Sequence, residues 1–266
     1  MLPLERHRLI VELLEQRGVM RVNEIAQATH VSRETIRRDL SELERQGVLN
    51  RSHGGALLAE STLPPARLPG IPLPMGNAQG SFQQRTLQQS ESKMRIARKA
   101  LQFLRPGNTI LLDSSSTSWF LARQMPEIAL TVITPSIRIL QTLMSRQSLH
   151  LIGLGGSFSP TEEAFFGETT SRMLREYSVD TLFFSCQGLE RDGGLYAGTE
   201  AHAALLKQMM MGARQVVAMI DGSKLGCLGG ARIGGLGELD SLITEKFDDP
   251  LLEKEMTWHN VSIHIA

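Results

Sequence analysis

Apolar positions near the N-terminus recur at helical spacing, whereas later ones gather into short runs separated by helical stretches. Leu9, Ile10, Leu13 and Leu14 form a stripe that predicts a helix over Leu4–Gln16, ended by Gly18. Val22, Ile25 and Ala26 predict a short second helix, Val22–Thr29, followed by a turn at His30 and Val31. Ser32 is suited to cap a third helix, Ser32–Gln46, and Gly47 to stop it. Within it Ile36, Leu40 and Leu43 fall at i, i+4 and i+7, so that this stripe packs inward. Two short extended pieces around a turn then follow between Val48 and Ala56, in the manner of a wing.

The second half reads differently. Strand candidates are Thr109–Asp113, Leu130–Thr134, His150–Leu154, Thr181–Cys186, Gln215–Ile220, Ser241–Thr244 and a late run, Val261–Ile265. Helical patterns Ser92–Leu104, Ser118–Gln124, Ile137–Ser145, Thr169–Tyr177 and Glu200–Gly212 sit between most of them. Such alternation predicts a largely parallel sheet covered on both faces, with ligands at the loops past the C-terminal strand ends. Between the halves Pro64, Pro65, Pro69, Pro72 and Pro74 forbid a continuous helix, and an extended, partly mobile linker is expected. The expected organisation is a head at 1–57, a linker at 58–88 and an α/β domain at 89–266.

Composition narrows the function. Lys plus Arg equals Asp plus Glu at 28 each, so a nucleic-acid contact must use a local basic cluster, not a global field. The two cysteines, Cys186 and Cys227, make neither a zinc knuckle nor a disulfide framework, and a reducing cytoplasm is expected. The N-terminus is interrupted by charges and lacks an apolar core, so no signal peptide is expected. No run of about 18 apolar residues occurs, so no membrane span is expected. The histidines form no metal-ligand spacing; His202 and Glu200 point to different helix faces, and a packing or surface role is expected for His202. No metal, cofactor or catalytic residue is expected.

The third helix carries the first candidate chemistry. With its apolar stripe inward, Glu34, Arg38, Ser41 and Arg45 face away, with Thr35 and Arg37 on the flanks. A helix with a buried back and arginines in its exposed N-terminal half suits a DNA major groove, where Arg forks onto guanine or grips phosphate. Ser32, Arg33, Glu34, Thr35, Arg37 and Arg38 are the candidates there, with Arg51 and His53 on the wing; which arginine reads a base stays open. The alternative is a solvated face on which the arginines pair with Glu34, Asp39, Glu42 and Glu44.

Four strand-end segments carry the second. Asp113-Ser114-Ser115-Ser116-Thr117 opens a helix and can grip an anion with hydroxyls and backbone N–H groups. Gly155 and Gly156 allow close backbone approach, Gln187 follows another strand, and Lys224 can supply a point charge oriented by Asp221. Each alone is equally a capped turn or a surface loop; their convergence on one sheet edge is the argument.

The run Ser32-x-x-Thr35-Ile36-Arg37-Arg38-Asp39-Leu40-x-x-Leu43-Glu44-x-x-Gly47, followed by Arg51-x-His53-Gly54-Gly55-Ala56, resembles the signature of the DeoR family of bacterial regulators. Phe82-x-x-Arg85, Lys93-x-x-Ile96-Ala97, Asp113-Ser114-x-Ser116-Thr117, Gly155-Gly156, Gly167, Asp180, Glu200, Lys207 and Asp221-x-Ser223-Lys224 resemble its sensor domain. The resemblance implies a winged helix-turn-helix joined to an α/β sensor domain similar to ribose-5-phosphate isomerase. It implies an operator-binding role for Arg37 and Arg38. The Asp113–Thr117 loop and Lys224 would hold the phosphate and sugar of an effector, with Glu200 and Lys207 nearby. Runs such as Phe184-Ser185-Cys186-x-Gly188 and Ala231-Arg232-Ile233-Gly234 look like the family's fucose-operon branch, which makes a deoxy-sugar phosphate a candidate effector. The expected function is regulation of a sugar catabolic operon by a homo-oligomer that binds double-stranded operator DNA and a phosphorylated sugar. The alternative is an isomerase-like enzyme drawing on Asp180, Glu200 and Lys207.

Overall fold

The computed structural model describes residues 6–7, 9–10, 13–14, 19–29, 31–45, 49–52, 55–58, 81–227 and 230–266. The chain separates into two compact units, Met1–Pro72 and Leu73–Ala266.

In the first unit, residues 6, 7, 9, 10, 13 and 14 are helical. Strand β1 (Val19–Arg21) leads into the helix Val22–Thr29 and then the helix Arg33–Arg45. Strands β2 (Leu49–Ser52) and β3 (Gly55–Leu58) follow and pair antiparallel, and β1 adds to the free side of β3. β1 was not expected; a three-residue strand carries no periodicity of its own and exists because β3 offers it a ladder. Ile36, Leu40 and Leu43 are buried together with Ile10, Leu14, Met20, Ile25 and Leu49, so the predicted inward stripe forms the core of this unit. The expected stops at Gly18 and Gly47, the turn at His30 and the wing residue His53 lie outside the described residues.

The second unit begins with the helix Phe82–Leu87, whose N-terminus is closed by reciprocal bonds between Ser81 and Gln84. The expected linker to residue 88 is therefore too long at its C-terminal end. Phe82 and Arg85 are buried, and prolines, which end at Pro74, do not reach this segment. Residues 59–80 of that linker lie outside the described residues. The helix Ser90–Ala100 and a 3-10 turn, Leu101–Phe103, come next.

Alternation then builds the sheet. Strands β4 (Thr109–Leu112), β5 (Leu130–Thr134) and β6 (Leu149–Gly153) are linked by the helices Ser116–Gln124 and Ile137–Leu143. A hairpin, β7 (Ser157–Ser159) and β8 (Ala164–Phe166), precedes the helix Glu168–Leu174 and strand β9 (Val179–Phe184). Strands β10 (Gly188–Leu189) and β11 (Gly194–Ala197) lead to the helix Glu200–Gly212 and β12 (Ala213–Met219). Strand β13 (Ala231–Gly235), β14 (Ser241–Thr244), the helix Pro250–Trp258 and β15 (Ser262–Ile265) complete the chain. β10, β11 and β13 form a small antiparallel sheet that the sequence pattern did not disclose.

The large sheet runs β15-β14-β12-β9-β4-β5-β6, parallel throughout. Period-two alternation sends its side chains into two cores. Ile110, Leu112, Phe183, Val217 and Met219 pack with Ile96, Ala97, Phe120 and Leu121 on one face. Leu111, Leu182, Phe184, Val216 and Ala218 pack with Leu205, Leu206, Met209 and Leu252 on the other. Burial on both faces is why these strands read as unbroken apolar runs. The strand order reverses between β4 and β9, and at such a switch point the adjacent loops diverge to leave a crevice at the C-terminal strand ends.

Candidate functional site

The first candidate surface is the Arg33–Arg45 helix. Its N-terminus is capped by Ser32, whose Oγ accepts from the Thr35 backbone N–H at 3.2 Å and lies 2.9 Å from Thr35 Oγ1. Ser32, Arg33, Glu34, Arg37 and Arg38 are exposed, and Thr35 is half-buried. The side chains of Arg37 and Arg38 are 61% and 80% exposed, and their nearest approach to Glu34 is 3.8 Å in each case. Contacts that long between exposed ends hold neither arginine in place. The inner side of the same helix differs. Asp39 is buried and accepts from Arg6 at 2.5 and 2.9 Å, with His7 Nε2 3.1 Å away. Asp39 thus ties this helix to the first one and does not pair with Arg37 or Arg38. Burial would raise its pKa, but the bonds from Arg6 and His7 outweigh that and hold it below the ordinary value. Arg51 lies on β2; His53 is outside the described residues.

The second candidate is a cleft of about 530 Å³, its mouth included, in the sheet-bearing unit. Three strand-end loops meet there: Ser115 and Ser116 after β4, Ser185 to Gln187 after β9, and Lys224 after β12. Ala197, Gly198 and His202 form a further wall, and Arg85, Gln88, Lys93 and Glu162 close it.

Asp113 holds the first two loops in register. Wholly buried, it accepts from the Ser115 backbone N–H at 3.2 Å, Ser115 Oγ at 2.6 Å, Ser118 Oγ at 2.5 Å and the Ser185 backbone N–H at 3.2 Å. Ser115 caps the Ser116–Gln124 helix by accepting from the Ser118 N–H at 3.1 Å. The first-turn N–H groups of that helix have no intrahelical acceptor, and with the helix dipole they favour an anion.

Cations face this helix end. Lys224 Nζ donates to Ser185 Oγ at 3.2 Å and sits 3.5 Å from Asp221. Lys93 Nζ donates to the carbonyl oxygens of Arg85 and Gln88 at 2.6 and 2.7 Å. Burial lowers the Lys93 pKa to about 8, with repulsion from Lys224 adding to the shift. Arg85 pairs with Glu162 at 2.9 Å. Among the lining residues three cations therefore face one carboxylate. Cys186, also in the wall, has its thiol pushed up to about 12 by burial and stays protonated near neutral pH.

Of the expected effector residues, Ser115, Ser116, Gln187 and Lys224 line the cleft. Asp113, Ser114, Thr117 and Asp221 are buried and absent from its lining; of these, Asp113 and Asp221 bond to residues of the loops that form it. Gly155 and Gly156 do not line it: β6 stands two strands from β4, at the sheet edge. Gly156 has a backbone reason of its own, with φ +148° and the Phe166 carbonyl oxygen 2.7 Å from where a Cβ would stand. Glu200 and Lys207 are exposed on the Glu200–Gly212 helix and lie outside the lining. Asp180 sits at the start of β9, opposite the end that forms the cleft, where its carboxylate accepts the Thr109 N–H at 2.9 Å. His202, for which a packing or surface role is expected, is buried against Phe166 and also lines the cleft. Arg85, Gln88 and Lys93 were missed because their segment was read as linker or plain helix; Phe82-x-x-Arg85 and Lys93 were the available signal.

Comparison with known proteins fixes the context. The profile described as "DeoR C terminal sensor domain" matches residues 88–246, and "DeoR-like helix-turn-helix domain" matches residues 6–62. The chain belongs to the DeoR family. It is 32% identical to "Uncharacterized HTH-type transcriptional regulator YulB" of Bacillus subtilis, over 99% of this chain and 96% of that protein. It is 31% identical to the "L-fucose operon activator" of Haemophilus influenzae, over 96% and 97% of the two chains. Against the Escherichia coli K12 protein of the same name the identity is 32%, over 91% and 94%. Among solved structures, ribose 5-phosphate isomerase A of Methanocaldococcus jannaschii aligns with a TM-score of 0.39 at 21% identity, over 52% of this chain and 55% of that one. As a DeoR-family member the chain combines a helix-turn-helix head with an α/β sensor. No helix among the described residues is long and apolar enough to cross a membrane, and none of their acidic, His and Cys side chains cluster as a metal site.

Proposed function

We propose that this DeoR-family protein is a cytoplasmic transcriptional regulator of a sugar catabolic operon that binds operator DNA through Arg33, Arg37 and Arg38 and a phosphorylated sugar in the cleft. The observation that carries the effector half is the meeting of Lys93 and Lys224 with the N-terminal turn of the Ser116–Gln124 helix in one cleft. A phosphate there gains two ammonium charges and oriented N–H groups at once. The DNA half is supported by the exposed, loosely held arginines on a helix whose back is buried. The names of the fucose-operon relatives support a deoxy-sugar phosphate as effector.

One head contacts only a few base pairs, so useful affinity calls for two or more heads on one operator, and a homo-oligomer is part of the proposal. The protein acts by binding alone. The isomerase alternative loses support from the positions of Asp180, Glu200 and Lys207, none of which lines the cleft. The test is a gel-shift titration on a promoter fragment of a sugar operon, repeated with fuculose phosphate, ribose 5-phosphate, fructose 6-phosphate and glycerol 3-phosphate, alongside a turnover assay of each. A shift modulated by one phosphate without turnover is expected. Turnover without DNA binding would replace this reading with the enzymatic one.

A further inference from the structure

Two polar atoms in the cleft wall are buried without a hydrogen-bond partner among the described residues: Nε2 of His202 and the carboxamide oxygen of Gln187. His202 is 8% exposed and stands on the first turn of the Glu200–Gly212 helix, its ring edge-on to Phe166 at 5.7 Å. Gln187 is fixed by its backbone, whose N–H donates to the Tyr196 carbonyl at 2.7 Å. Burying such groups unpaired is costly, and native proteins retain them mainly where something else completes the bond.

Neither group brings a charge to a phosphate. Burial lowers the His202 pKa; the opposing pull of Asp113 is countered by Arg85 and Lys224, and the ring is neutral at pH 7. A neutral imidazole and a carboxamide each offer both a donor and an acceptor. An unprotonated phosphate oxygen only accepts, and it is already served by Lys93, Lys224 and the helix end. A hydroxyl both donates and accepts, and matches both groups whichever way ring and amide are turned.

We propose that His202 and Gln187 determine specificity by reading hydroxyls of the effector, so that the cleft selects a polyhydroxylated phosphate ester over a phosphate with an apolar tail. This rests on the phosphate reading of the cleft and adds the neutral half of its recognition. A site built to pair a hydroxyl rejects the analogue that lacks it, because its own polar groups are then left buried and unpaired.

Calorimetric titration of the full-length protein tests it, comparing ethyl phosphate, which carries the same anion with no hydroxyl, with the sugar phosphate that binds most tightly in the panel above. The wild type should prefer the sugar phosphate by about a hundredfold or more. His202→Phe, which keeps a ring against Phe166, and Gln187→Met should each reduce that preference about tenfold or more by weakening the sugar phosphate alone. Retained ethyl phosphate affinity shows that each variant is folded. Equal losses for both ligands, or no loss for either, would overturn the assignment of these two residues. Wild-type affinity as high for ethyl phosphate as for every sugar phosphate would overturn it too, leaving the phosphate reading intact. Binding of neither ligand would bring down both.

Discussion

Asp113 at the end of β4 and Ser185 after β9 are joined by a single bond, the Ser185 N–H to the Asp113 carboxylate at 3.2 Å. Because the same carboxylate also takes Ser115 and Ser118, one side chain sets the spacing of two of the three loops that make the cleft. Its role is positional: it is wholly buried and reaches a ligand only through the groups it orients.

Asp113→Ala should therefore unfold more easily and bind effector poorly. Removing the carboxylate takes the acceptor from the buried Ser185 N–H and from Ser115, and leaves the Ser118 hydroxyl only its longer bond to the Phe183 carbonyl at 3.3 Å, a loss of about 2–4 kcal/mol. Thermal melts of the wild type and the variant measure it. An unchanged midpoint with weakened binding would instead mean that Asp113 meets the ligand directly.

Arg37→Ala combined with Arg38→Ala should abolish operator binding and leave the melting of the sheet-bearing unit unchanged. Both side chains are mostly exposed, so their loss removes contacts to DNA and little from the folded head. Losing an arginine that forks onto a base costs about 1–3 kcal/mol, while losing one on phosphate reduces the salt dependence of binding. Fluorescence anisotropy on an operator duplex at several salt concentrations separates the two roles.

Asp39→Ala should damage the head by another route. It strips the buried partner from Arg6 and His7, and breaking such a pair costs about 3–5 kcal/mol. Asp39 also carries a pH signature. Its pKa is lower folded than unfolded, so its contribution is full above the unfolded value, about 4, and is lost as pH falls through the folded value. Acid titration of the head by circular dichroism should show this loss in the wild type and not in Asp39→Asn, which should be less stable at pH 7.

Lys93 predicts an alkaline limit to effector binding. With its pKa lowered to about 8, it is charged below that pH and increasingly neutral above it. A phosphate raises that pKa, so binding takes up a proton and affinity should fall as pH rises past about 8. Lys93→Met should bind more weakly at pH 7 and lose this alkaline decline. Without ligand the sign is opposite for stability: between about 8 and the ordinary lysine value of 10.5 the unfolded chain holds the proton more strongly, so rising pH favours the fold. Titration calorimetry from pH 6.5 to 9 checks the binding half. A flat wild-type profile would remove Lys93 from the phosphate site.

What the sequence determined by itself is whatever depends on near neighbours along the chain. The stripe Ile36, Leu40 and Leu43 places Arg37 and Arg38 outside, because a helix repeats every 3.6 residues whatever it later packs against. The runs at Leu130–Thr134 and Ser241–Thr244 became strands with those bounds, because doubly covered strands favour apolar side chains and admit here only the short hydroxyls of Thr and Ser. Tertiary structure decided which strand ends meet. Nothing local to Gly155 and Gly156 says that β6 lies at the sheet edge, or that β9 lies beside β4 with β12 next to it, which brings Lys224 into one cleft with Ser116. It also decided that Arg85 and Lys93, in a stretch following a proline-rich segment, fold back over the cleft, and that His202 and Asp113 are buried. Strand order and burial are set by contacts between residues far apart in the chain, and those contacts leave no periodic trace in the segments that make them.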